Sequence, residues 1–191
     1  MVDLPSHHLI YGTLRDYITD EPVVDTDDER YRQKLARFFV EEKGFARKDL
    51  EVRLKIETLF AGNFVVSKVD LVINLRGRRL MLVRYGPGSL VTRQRPALAA
   101  ARVLDRDALV PLTVVSNGED AHLLDSRSGK LIGEGLENLP TKGEGLSLLA
   151  ELDFTPLPEA RREPELRILN AFDREVCCAG APCALPDARE G

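Results

Sequence analysis

Eight arginines, Arg76, Arg78, Arg79, Arg84, Arg93, Arg95, Arg102 and Arg106, stand between positions 74 and 106 against a single acid, Asp105. A guanidinium presents a planar fork of donors that grips phosphate or carboxylate through two bonds, so this segment has the chemistry of polyanion recognition. Arg76, Arg78, Arg79, Arg84, Arg93 and Arg95 are the expected nucleic-acid contacts. The opposite charge lies upstream: residues 1–29 hold eight acids, including Asp16, Asp25 and Glu29, and one base, Arg15. Charge of this kind has three readings, a phosphate- or carboxylate-bearing partner, a solvated face, or an internal match between the acidic and basic segments.

A second set of reactive side chains sits at the two ends. His7 and His8 with Cys177, Cys178 and Cys183 offer imidazole and thiolate, which suit zinc or an iron–sulfur cluster. Their spacing fits no standard ligand pattern, and apolar packing of Cys177 and Cys178 at the end of a helix is the competing reading. His122 reads as a strand residue. The chain has no nucleophile elbow, phosphate-binding loop or dinucleotide fingerprint.

These side chains need a scaffold, and the composition supplies one. Of 191 residues 43% are apolar and 30% charged, with a net charge of -4, as in a soluble globular protein. No run of about 18 apolar residues occurs, and "MVDLPSHHLIYG" lacks a basic region followed by an apolar one, so the expectation is a cytoplasmic protein without membrane contact. Three cysteines near the end make no disulfide framework. "DTDDERYRQKLARFFVEEKG" predicts a helix with Asp25, Thr26 and Asp27 as caps and Tyr31, Leu35, Phe38 and Phe39 on one face. "LEVRLKIETLF" alternates as a half-buried strand. "FVVSKVDLVINL" and "RRLMLVRY" are two more, joined by the tight "RGR" turn at Arg76 to Arg78. After "GPGS" comes an alanine-rich helix, then a buried strand, an Asn117-Gly118 turn and two short strands. "PLPEARREP" reads as a linker, with Pro164 in the first turn of a last helix.

In this order the pieces resemble a known family. From about Asp25 to Gly135 the chain resembles the N-terminal domain of the restriction subunit of type I restriction enzymes, a branch of the PD-(D/E)XK nuclease superfamily. The matching segments are "DERYRQKLARFFVEEKGF", "SKVDLVI", "LMLVRYGPG" and "VVSNGEDAHLLD". The resemblance implies an α/β fold, a restriction-endonuclease-like sandwich with a central mixed sheet flanked by helices. It also implies a site in which two carboxylates hold Mg²⁺ and a lysine orients the attacking water. Asp70 matches the first acid and Glu29 the helix glutamate. Arg84 stands at the position of the second acid and Gly86 at that of the lysine.

An arginine neither coordinates a metal nor acts as a base near neutral pH, so the expected site is degenerate, with Asp70 paired to Arg84 where the cation would be. The expected function is a catalytically silent domain that binds nucleic acid or protein, without a cofactor. Two alternatives stand beside it. One is an active Mg²⁺-dependent DNA endonuclease with a relocated site of Glu29, Lys68 and Asp70, Lys68 sharing the face of Asp70 two residues away. The other is a structural partner for an acidic protein. Three regions are expected: an acidic extension at 1–24, the nuclease-like domain at 25–145, and at 146–191 a linker, a helix and a cysteine-containing tail. The last helix has one apolar face to bury, on its own domain or, the favoured expectation, in a homodimer.

Overall fold

Two residues with positive φ, Arg76 at 53° and Gly77 at 76°, make the tight turn that pairs the longest strand with its neighbour. The computed structural model describes residues 10–177. His7, His8, Cys178 and Cys183 lie outside the described residues, and Cys177 is the last of them. A hairpin of β1 (Ile10–Arg15) and β2 (Pro22–Thr26) leads into α1 (Asp27–Arg37), which widens into a π turn over Phe38–Glu42. The Thr26 side chain accepts the Glu29 N–H and caps α1, and three acids occupy its first turn.

The main sheet follows in chain order: β3 (Leu50–Phe60), β4 (Asn63–Leu75), β5 (Arg78–Tyr85), β6 (Leu112–Ser116), β7 (Ala121–Asp125) and β8 (Leu131–Glu134). Only β5 and β6 run parallel, because α2 (Leu90–Val103) carries the chain between them. Two further helices complete the described chain, α3 (Lys142–Leu148) and α4 (Glu159–Cys177).

Each face of the sheet has its own core. On one face Leu35, Ala36 and Phe39 pack with Leu71, Ile73, Met81 and Val83. On the other, the alanines of α2 and Leu169 of α4 pack with Val69, Val72 and Leu82. Small residues let α2 approach the strands closely, and Ala99, Ala100 and Ala101 are fully buried. The result is a mixed six-stranded sheet between helices, a restriction-endonuclease-like sandwich.

Three details differ from the sequence expectations. The last helix begins at Glu159, inside the expected linker, and carries Pro164 within it. Its apolar face is buried on its own domain, where Leu169 is fully enclosed and Asn170 donates to the Thr58 hydroxyl at 2.9 Å, so it is not left to cover a second copy. Arg162 explains the early start, since it donates to the carbonyls of Arg102, Val103 and Asp105 and caps the end of α2. Finally, the described part of the expected acidic extension, from Ile10 onward, forms the β1–β2 hairpin, and Asp16 in it is buried.

Candidate functional site

Strand pairing alone would set Asp70 against Arg84. The β4–β5 ladder joins Val72 to Leu82 and Leu71 to Val83, and one more step would put those two side chains opposite each other on one face. The ladder stops at Leu71. On the other side of β4 the pairing of Val52 with Leu71 and Leu54 with Val69 skips Arg53, whose φ is +53°. Across this irregularity the faces exchange: Val69 packs with α2 and α4, whereas Leu71 packs with α1.

Asp70 is therefore turned toward α1. One carboxylate oxygen accepts Nε of Arg32 at 2.5 Å and the other accepts the backbone N–H of Tyr85 at 2.7 Å. Arg84 goes to the opposite face, where it meets Asp173 of α4 at 3.0 Å. The expected Asp70–Arg84 pair is thus replaced by two separate pairs, one on each side of the sheet. A Cβ on Gly86 would lie 3.2 Å from Nε of Arg93, so this position too faces α2 rather than Asp70.

Around Asp70 a network of charges closes. Arg32 reaches Glu29 at 3.6 Å through a terminal nitrogen, so its guanidinium spans the two carboxylates. Glu29 also accepts from Arg53 at 2.6 Å and from Gln33 at 2.8 Å. Arg53 and Gln33 both continue to Asp16, at 2.5 and 2.9 Å. Burial would raise the carboxyl of Asp16, yet N–H groups of Thr19 and Ile18 with Gln33 and Arg53 outweigh it and hold the pKa at about 2. Arg32 loses hydration by burial, which the adjacent Asp70 more than offsets, so its pKa rises. Tyr85 stacks on Tyr31 at 5.5 Å, and burial together with Asp28 pushes its hydroxyl up to about 12.

Of the residues expected at the site, the structure brings Glu29 and Asp70 to one guanidinium. Lys68 is exposed and makes no ion pair among the described residues. No three His, Cys, Asp or Glu side chains among those residues converge on a point that an ion would occupy. Arg32 and Gln33 carry a signal in the sequence, because they follow Glu29 by three and four residues and so share its helix face. Asp16 and Arg53 carry none; only the folded chain joins them.

The six arginines expected to contact nucleic acid do not sit together on β5. Arg76, Arg78 and Arg79 are at the hairpin end, Arg84 is near the other end of the strand, and Arg93 and Arg95 belong to α2, which follows that end. Arg79 pairs with Glu51 at 2.7 Å, Arg95 with Glu165 at 2.5 Å, and Arg78 lies over the Phe154 ring at 3.6 Å. Three of the upstream acids find their partners outside the basic segment. The upstream acids Asp16, Asp25 and Glu29 are met by Arg53, Arg30 and Arg32. A cleft of about 650 Å³ lined by Glu51, Arg78, Arg79, Asp105 and Phe154 opens at the hairpin end, away from Asp70.

A mixed sheet covered on both faces, with a carboxylate at the point where its central strands part, defines the class: a restriction-endonuclease-like domain. The chain belongs to the family described as the type I restriction enzyme R protein N terminus, whose model matches residues 27–140. That span runs from the first residue of α1 to just beyond β8. No curated protein and no solved structure matches the chain.

Proposed function

We propose that this domain is catalytically silent and acts by binding, with nucleic acid as its ligand. The observation that carries the reading is the placement of Arg32, whose guanidinium lies between Glu29 and Asp70, the two carboxylates that the resemblance to PD-(D/E)XK nucleases would assign to a divalent cation. The residues present do not fit Mg²⁺ well. A hard cation of this kind asks for several oxygen ligands in near-octahedral array, whereas both oxygens of Asp70 are already engaged by N–H donors. Arg84 and Gly86 add neither a carboxylate nor an ammonium to this face. Support for nucleic acid as the ligand comes from the family and from cations outside the internal ion pairs, Arg76 in the hairpin turn, Arg78 at the start of β5 and Arg93 beside Phe172 of α4. An acidic protein is the alternative ligand, since it would meet the same guanidinium groups.

Titration calorimetry with Mn²⁺, together with a plasmid cleavage assay, tests the silent site. The expected result is no binding and no cleavage by the wild type, with Mn²⁺ binding gained in Arg32→Met. Cleavage by the wild type that disappears in Asp70→Ala would establish the relocated site of Glu29, Lys68 and Asp70 instead. Binding to DNA should weaken with salt at a slope near 0.9 in log K against log salt for each phosphate neutralised. No binding to single- or double-stranded DNA at low ionic strength would leave a protein partner as the ligand.

A further inference from the structure

The two edges of the main sheet are built differently. β8 is four residues long, and its register against β7 is interrupted between Leu123 and Leu124, both of which protect an edge from further pairing. β3 is eleven residues long, and among the described residues no strand borders its outer side. The distortion at Arg53, which is tied to Asp16 and Glu29, ends the regular part of that edge, so Leu54 to Thr58 is the stretch able to accept a partner strand.

The charges along this stretch are unresolved within one chain. Lys55 stands directly opposite Lys68 in the β3–β4 ladder, both exposed and neither in an ion pair among the described residues. Like charges in direct opposition across a ladder are unfavourable. Glu57, two residues from Lys55 on the same face, is likewise exposed and unpaired. Near the end of the strand Leu59 is 63% exposed and Phe60 41%. A two-fold axis through Ile56 would make Leu54–Thr58 pair antiparallel with itself. Lys55 of each copy would then face Glu57 of the other, and each Glu57 would relieve a Lys55–Lys68 contact. Leu54 and Thr58 would face each other; the Thr58 carbonyl already accepts from Asn170 at 3.3 Å and keeps a second lone pair for the ladder.

We propose that the outer edge of β3 pairs with β3 of a second copy of this chain, joining two six-stranded sheets into one through reciprocal Lys55–Glu57 contacts. The axis stands perpendicular to the sheet, so both copies keep α1 on one face and α4 on the other. This interface is independent of whether the Asp70 site is silent.

Sedimentation velocity of the 191-residue chain over a range of concentrations provides the test, with Lys55→Glu, Glu57→Lys and the double exchange beside the wild type. A concentration-dependent dimer is expected for the wild type. Each single reversal turns two attractive cross-strand contacts into repulsive ones and should weaken it by about tenfold or more, and the double exchange should restore it. All three changes are at exposed side chains, and circular dichroism will register the fold of each. A wild type that stays monomeric throughout the range overturns the proposal. So does a dimer indifferent to both single reversals, or one that the double exchange fails to restore.

Discussion

Arg32 holds Asp70 at 2.5 Å and reaches Glu29 at 3.6 Å, so a single guanidinium joins the strand carboxylate to the helix carboxylate. Removing it strips Asp70 of its guanidinium partner, while Glu29 keeps Arg53 at 2.6 Å. Arg32→Met should destabilise the domain by about 1–3 kcal/mol in urea denaturation, a moderate figure because the arginine is partly exposed. Mn²⁺ should return part of that stability, since ligand that binds only the folded state raises its apparent stability. A variant as stable as wild type, and indifferent to Mn²⁺, would mean that the guanidinium is not what holds the pair together.

The buried carboxyl of Asp16 makes an acid limb in the stability profile. Its pKa falls from 3.8 to about 2 on folding, so the unfolded chain takes up its proton first as pH drops. The stabilisation is present above about pH 4 and is lost as pH falls toward 2. Asp16→Asn removes this contribution, and urea denaturation from pH 7 to pH 2 should show a shallower fall for the variant. Identical slopes in the two proteins would count against Asp16 as the titrating group.

Arg84 and Asp173 form a buried pair that is only half satisfied: beside their 3.0 Å contact, one terminal nitrogen of Arg84 and the second oxygen of Asp173 are buried without a hydrogen bond. Breaking such a pair costs more than replacing it. Asp173→Leu alone should cost about 3–5 kcal/mol, whereas Arg84→Met with Asp173→Leu should recover most of it. Differential scanning calorimetry on the three proteins separates the cases, and a double variant no better than the single one would argue that the contact is favourable in itself.

Placing a glutamate at Arg84 and a lysine at Gly86, as the resemblance to PD-(D/E)XK nucleases would suggest, should not create a metal site. Both positions face α2 and α4, on the far side of the sheet from Arg32 and Asp70. A lysine at 86 would also displace Arg93, whose Nε lies 3.2 Å from the Cβ position. Arg84→Glu combined with Gly86→Lys is expected to bind Mn²⁺ no better than wild type and to leave Asp173 beside a second carboxylate, lowering the melting temperature. Tight Mn²⁺ binding by that double variant would show that β5 can rotate to bring the two faces together.

The sequence by itself determined the elements from α1 to β8 and their order. Alternation in β3, the Arg76-Gly77 and Asn117-Gly118 turns and the alanines of α2 are local signals, and local backbone chemistry is what makes a hairpin turn or an approachable helix. It also determined that Asp70 and Glu29 would be neighbours, because the family pattern fixes strand and helix together. Which cation meets Asp70 was decided only by the tertiary structure. A strand's side chains alternate until its pairing is disturbed, and one distortion at Arg53 and Asp70 exchanges the faces of β4, turning Asp70 to Arg32 while Arg84 keeps the face of Leu82 and meets Asp173. Asp16 joined the site, and α4 closed over its own sheet, through contacts between residues far apart in the chain, whose energies depend on distance in space and leave no local pattern to read.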